Sequence, residues 1–284
     1  MSDTFPPPVS LRPIRRVEIV RLSARGTARA SDDVAVEEPL EIRLHDRPFA
    51  VVMRTPGHDR ELAAGFLLSE GVIGSVDDLG AVEHCRHPDE GAAHNVVNVF
   101  FTPPGGAARL EAAFGSRRHV AANTSCGICG RVTIEALQTR AAPLPMTCEL
   151  EAGAAQGLPD VLRGRQSAFD QTGGLHAAAL VGPDGDCLAA AEDVGRHNAV
   201  DKVLGRMLLE ERLPLLGCAL VVSGRVSYEI VQKAWLGGVE VICAVSAPSS
   251  LAIDLALAAG ITLIGFARDR GFNVYTHPGR LRGM

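Results

Sequence analysis

The first readable pattern opens at Arg16, where residues 17–22 mix apolar and polar side chains in a strand-like run. Residues 40–44 alternate apolar and polar, and with the apolar run 48–53 across the polar turn His45-Asp46-Arg47 they predict a β-hairpin. Thr55-Pro56-Gly57-His58-Asp59 then breaks the strand. Leu62, Ala63, Phe66 and Leu67 recur at helical spacing within residues 60–70 until Gly71 stops them. A further strand is predicted over residues 95–101, closed by Pro103-Pro104-Gly105-Gly106. Residues 118–124 lead as an extended segment into Ser125-Cys126-Gly127-Ile128-Cys129-Gly130, and a helix is predicted over residues 132–140. This cysteine pair therefore falls between strand and helix.

Downstream the pattern changes. Residues 175–181 and 187–191 flank the turn Gly182-Pro183-Asp184-Gly185-Asp186 as a second hairpin, and a helix follows over residues 198–210. From Leu216 onward strands and helices alternate. Strands over residues 218–222, 239–245 and 261–266 are apolar apart from Glu240 and Thr262, as parallel strands covered on both faces are, with helices between them over residues 226–236 and 249–259. The expected fold is α/β with an α+β N-terminal part. It divides into an arm over residues 1–15, a β-rich subdomain over 16–125, and an α/β core over 126–284 that the cysteine loop opens.

Composition narrows the function classes. With 284 residues, 46% of them hydrophobic, the chain can bury a substantial core, whereas its proline-rich first residues cannot. A net charge of −5 gives no global attraction to nucleic acid or anionic membranes, so any anion site must be local. The N-terminus lacks the basic start and apolar core of a secretory signal, and no apolar run approaches the roughly 18 residues of a membrane span. The expectation is a soluble cytoplasmic protein. Seven cysteines without a signal then read as reduced thiols.

A Cys-X-X-Cys pair serves disulfide exchange, half of a metal site, or a nucleophilic thiolate that carries sulfur. All three need thiolate. A helix starting just after the pair supplies unpaired N–H groups that lower a thiol's pKa, Arg131 adds a positive charge, and Gly127 and Gly130 leave the sulfurs open. No second pair stands at zinc-finger spacing, and only His84-Cys85-Arg86-His87 could complete a zinc site, so no metal site is assigned and no zinc is expected. Disulfide oxidoreductases place the motif early, usually after an aromatic residue. Here Ser125 precedes it, deep in the chain. Cys187, Cys218 and Cys243 lie in or beside strand runs and read as core, and Cys148 as a small incidental residue.

The three parallel strands end at Ser223-Gly224-Arg225, Ser246-Ala247-Pro248-Ser249-Ser250 and Arg268-Asp269-Arg270-Gly271, on the edge where open α/β sheets bind ligands. Gly224 permits close backbone approach, Ser249 can cap a helix, and Arg225, Arg268 and Arg270 offer forked donors to phosphate. Ordinary turn chemistry and solvated arginines would look the same in sequence. Neither a P-loop nor a Gly-X-Gly-X-X-Gly fingerprint is present. Two further polar segments, Gln171-Thr172-Gly173-Gly174-Leu175-His176 and Asp193-Val194-Gly195-Arg196-His197-Asn198, each hold a histidine that can act as proton donor, ligand contact or structural hydrogen-bonding group.

Taken together, Arg54-Thr55-Pro56-Gly57, residues 61–71, the cysteine loop, residues 169–176, residues 192–202, Ser223-Gly224-Arg225 and residues 265–273 resemble the formate dehydrogenase accessory sulfurtransferases, the FdhD family. The resemblance implies a sulfurtransferase. A cysteine desulfurase would pass sulfur to Cys126 as a persulfide, with Cys129 beside it. The acceptor would be a molybdenum or tungsten bis-pterin guanine dinucleotide destined for the catalytic subunit of formate dehydrogenase. It implies Phe266, Ala267, Arg268, Asp269, Arg270 and Gly271 as the binding stretch for that cofactor, beside Ser223, Gly224 and Arg225 from the strand-end argument. It also implies a cytidine deaminase-like core and a homodimer, with neither nucleic acid nor membrane as partner. Deaminase chemistry itself is excluded, since His176-Ala177-Ala178 lacks the glutamate of His-X-Glu and the cysteines precede it. The rival reading is a chaperone that binds the molybdenum cofactor without covalent sulfur chemistry.

Overall fold

The computed structural model describes residues 12–24, 26–85, 93–115, 142–146, 148–268 and 271–283. It opens with a ribbon of two antiparallel strands, β1 (Ile14–Ser23) and β2 (Gly26–Ala35). β1 begins inside the stretch that composition assigns to the arm. The polar, aperiodic β2 is a strand because β1 supplies its ladder.

β3 (Glu38–Leu44) and β4 (Arg47–Arg54) form the expected hairpin. Its turn residues His45 and Asp46 both have positive φ, 47° and 65°, the handedness that matches strand twist in a tight hairpin. After β4 come α1 (Asp59–Ser69), β5 (Leu79–His84), β6 (Val96–Phe101) and α2 (Gly106–Gly115). The sheet order is β4-β3-β6-β5, with β6 parallel to β3.

The larger unit contains β7 (Leu150–Glu151), α3 (Ala152–Arg163), α4 (Ser167–Thr172), β8 (His176–Val181), β9 (Cys187–Asp193) and α5 (Arg196–Leu209). It continues with β10 (Ala219–Val222), α6 (Tyr228–Gly237), β11 (Val241–Ala244), α7 (Ser250–Ala259), β12 (Thr262–Arg268), β13 (Gly271–Thr276) and β14 (Leu281–Arg282). A six-stranded sheet runs in the order β13-β12-β11-β10-β8-β9. Its β10, β11 and β12 are parallel neighbours, in keeping with their largely apolar sequences. The mixed α/β class expected from sequence is what forms.

Both faces of that sheet are covered. On β8, Ala178 and Leu180 join the cluster with α5 and α6, while Ala177, Ala179 and Val181 join a second cluster with Ala155, Leu158 and Leu162 of α3. The first cluster runs on through α1 to Leu40 and Ile42 of the four-stranded sheet. At the crossing of α1 and α5 the backbones touch: a Cβ on Gly65 would stand 1.9 Å from the Asp201 carbonyl oxygen, and one on Gly205 would stand 1.9 Å from that of Glu61.

Charged residues lock this junction. Lys202 is 2% exposed and pairs at 2.7 Å with the fully buried Asp193. The same ammonium donates to the Thr55 carbonyl at 2.8 Å, and Asp193 accepts from the Thr55 N–H at 3.1 Å. Arg54 grips Asp59 through two bonds of 2.9 Å. Arg54, Thr55, Asp193 and Lys202 therefore act here as scaffold.

Candidate functional site

A cleft of about 700 Å³ opens at the carboxyl ends of the parallel strands, where a sheet of this kind leaves its crevice. Ser223 after β10, Val245 after β11, and Ala267 and Arg268 at the end of β12 make one wall. Pro159, Leu162 and Arg163 of α3, with Gln166 and Phe169, make the other. Gly173, Gly174, Leu175 and His176 complete the lining as the chain enters β8.

The strand-end wall is shaped by hydrogen bonds. The Ser223 hydroxyl accepts from the Ala177 N–H at 2.9 Å, and the Ser223 N–H donates to the Ala177 carbonyl at 3.0 Å. Its side chain thus closes the edge between β8 and β10. In β12, Phe266 takes a positive φ of 53° beside a register irregularity between Gly265 and Arg268. Such a bulge re-aims the side chains after it. Ala267 turns into the second core cluster and Arg268 reaches the cleft, exposed and without an ion pair among the described residues. Gly265 has no room for a side chain, since a Cβ would meet Tyr275 at 3.0 Å and Pro248 at 3.1 Å.

His176 sits half-buried between cations. A Cβ on Gly224 would stand 3.3 Å from its Nδ1 and 3.5 Å from Cδ of Arg196, so the glycine keeps these two side chains apart from a strand end that approaches both. Burial first, then the positive charge of Arg196, pushes the His176 imidazole below its usual range, with Arg225 adding to the effect and Asp193 opposing it. The ring is neutral near pH 7. Arg196 Nε is buried and has no hydrogen-bond partner among the described residues. Together with Arg268 it gives this end of the cleft uncommitted positive charge.

The opposite wall rests on Glu192, whose carboxylate accepts from the N–H groups of Ala168 and Phe169 at 2.9 and 2.7 Å and so fixes the start of α4. Arg163 lies over the Phe169 ring, 5.5 Å from its centroid, and is paired with Asp170. Gln166 is only 6% exposed.

Of the residues singled out from sequence, Ser223, Ala267 and Arg268 line the cleft, as do Gly173, Gly174, Leu175 and His176 of the polar segment. Gly224 backs it through His176. Arg225 is exposed, Phe266 is 43% exposed, and Gly271 pairs with Arg268; none of these three belongs to the lining. Cys126, Cys129, Asp269 and Arg270 lie outside the described residues, as do the segments predicted over 118–124 and 132–140. His84 and Cys85 are described at the end of β5, whereas Arg86 and His87 are not. His197 is 3% exposed, with Nε2 3.2 Å from the Ser227 hydroxyl, and serves the interior. Cys218 and Cys243 are buried as expected, and burial pushes the Cys243 thiol up to about 12. Cys187, at the start of β9, is only partly buried.

Sequence reading missed α3, and saw α4 only as part of the polar segment before β8. The available signal was Ala155, Leu158 and Leu162 at helical spacing, obscured by Gly153, Gly157 and Pro159.

Comparison with known proteins covers this whole arrangement. The model of the FdhD/NarQ family matches residues 35–282. The sulfur carrier protein FdhD of Anaeromyxobacter dehalogenans (strain 2CP-1) is 48% identical over 267 residues, 92% of each chain. That of Streptomyces avermitilis is 44% identical over 279 residues, 95% of this chain and 96% of its own. A crystal structure described as a formate dehydrogenase accessory protein from Desulfotalea psychrophila has a TM-score of 0.75 at 26% identity, covering 95% of this chain and 100% of that one. Matched along nearly its full length by such relatives, and by the family model across the span that builds both larger sheets and the cleft, the chain belongs to the FdhD/NarQ family.

Proposed function

We propose that this protein carries sulfur as a persulfide on Cys126 and hands it to a molybdenum or tungsten bis-pterin guanine dinucleotide, its cargo, bound at the cleft. The observation that carries the reading is the cleft at the carboxyl ends of β10, β11 and β12, where Arg268 of the lining, and Arg196 behind His176, are left without ion-pair partners among the described residues. A ligand with pyrophosphates pairs such groups. Relatives named as sulfur carriers support the sulfur half of the proposal.

In this mechanism the Cys126 thiolate attacks the outer sulfur of a cysteine desulfurase persulfide. The sulfur–sulfur bond breaks, and the desulfurase thiolate leaves. Sulfur then departs as sulfide when the Cys129 thiolate attacks Cys126, leaving a Cys126–Cys129 disulfide that a cellular thiol reduces. The guanidinium groups of Arg268 and Arg270 would hold the phosphates, with Asp269 and Gly271 of the same stretch contributing backbone N–H groups and not a carboxylate. His176, neutral, would donate one hydrogen bond without adding charge. The formate dehydrogenase catalytic subunit is the client. A cytoplasmic location, a homodimer, a cytidine deaminase-like core and a division of the chain at residues 125 and 126 belong to the same proposal. No helix among the described residues is long and apolar enough to cross a membrane.

Incubation with a cysteine desulfurase and cysteine, followed by intact-mass analysis, tests the relay. The expected result is a reductant-sensitive gain of sulfur in the wild type and in Cys129→Ala but not in Cys126→Ala. Retention in Cys126→Ala overturns the assignment of that residue. No gain in any form, with cargo still bound, favours a non-covalent chaperone.

A further inference from the structure

The α3–α4 wall differs chemically from the rest of the cleft. Gln166 is 6% exposed, lines the cleft, and makes no side-chain hydrogen bond among the described residues. Its carboxamide still reaches the solvent of the cleft and so can donate to and accept from a ligand there. On the same wall, Asp160 of α3 carries a carboxylate that forms no ion pair among the described residues. A carboxylate repels phosphate, so the phosphates of a bound nucleotide belong beside Arg268 on the opposite wall. Asp160 then faces a part of the ligand that donates hydrogen bonds. Phe169 in the same lining offers an aromatic face for stacking, and Arg163 over its ring adds a cationic plane.

Building on the proposed cargo, we infer that Asp160 selects the base: its carboxylate accepts from N1–H and the 2-amino group of guanine while Gln166 supplies a second hydrogen bond. The carboxylate discriminates because guanine presents two adjacent donors there, whereas adenine presents the N1 lone pair, which a carboxylate repels. Xanthine carries a carbonyl in place of the amino group and is rejected for the same reason. Asp160→Asn reverses that last choice, because a carboxamide can donate to the xanthine carbonyl.

Calorimetric titration of the full chain with GDP, ADP and XDP is the test, on wild type and Asp160→Asn. Asp160 is exposed and unpaired among the described residues, so an unchanged melting temperature is expected. Wild type should prefer GDP to either rival by roughly tenfold or more, the discrimination of one bidentate base contact. Asp160→Asn should lose about that much GDP affinity and gain XDP affinity, a gain that general damage to the cleft cannot produce. A variant that keeps the wild-type ranking, or a wild type that binds GDP and ADP equally, overturns the inference and leaves the cleft as a nucleotide site. A wild type that binds none of the three overturns both.

Discussion

His176 illustrates how one side chain reports its surroundings. Burial and the charges of Arg196 and Arg225 favour its neutral form, and Asp193 opposes them only in part. An unfolded chain binds that proton at pH near 6.5, and the native protein only at lower pH. As pH falls through 6.5 the unfolded state therefore takes up the proton first, and stability drops until the folded pKa is passed. Above that window the histidine contributes nothing to the slope. Urea unfolding at pH 7.5 and 5.5 should show a smaller loss of stability for His176→Gln than for wild type, and equal losses would contradict a neutral His176. The sequence placed this histidine in a polar segment before a strand. It could not reveal the neighbouring arginine, which approaches only because Gly224 has no side chain.

At the scale of elements, what was legible depended on period. β3 with β4, β8 with β9, and the alternation from β10 to β12 carry patterns that local sequence makes unmistakable, and each forms where expected. β2 has no period and α3 is interrupted by glycines and a proline, so both depend on partners distant in sequence. The crossing of α1 and α5 shows the same dependence. Gly65 lies inside the helix predicted over residues 60–70, and there the two backbones meet with no room for a methyl group. Gly65→Ala gains helix propensity of up to about 1 kcal/mol. It must push two helices apart, and overpacking at a backbone contact costs about 3 kcal/mol or more. Net destabilisation is expected in both Gly65→Ala and Gly205→Ala by denaturant unfolding. A neutral or stabilising result would show that the helices can separate freely.

Across the whole molecule, the motifs that carry the family resemblance divide into two kinds of work. Arg54-Thr55 and residues 192–202 bind the four-stranded sheet to the core through buried pairs, while Ser223 and Arg268 belong to the cleft. Sequence alone shows both as polar residues between apolar runs, because burial of charge is decided by contacts across more than a hundred residues, such as Thr55 with Asp193. The two kinds separate under ligand. Lys202→Met strands the Asp193 carboxylate in the interior, a loss on the order of 3–5 kcal/mol, and should lower the melting temperature sharply. Its cleft keeps every lining residue, so saturating GDP should still raise that temperature by linkage. Arg268→Ala removes an exposed side chain, leaves the unliganded melting temperature near wild type, and should abolish most of the GDP-dependent rise. Thermal scans with and without GDP measure both. Loss of the ligand effect in the Lys202 variant at temperatures where it remains folded would mean that the buried junction also shapes the cleft, and that scaffold and site are one mechanical unit.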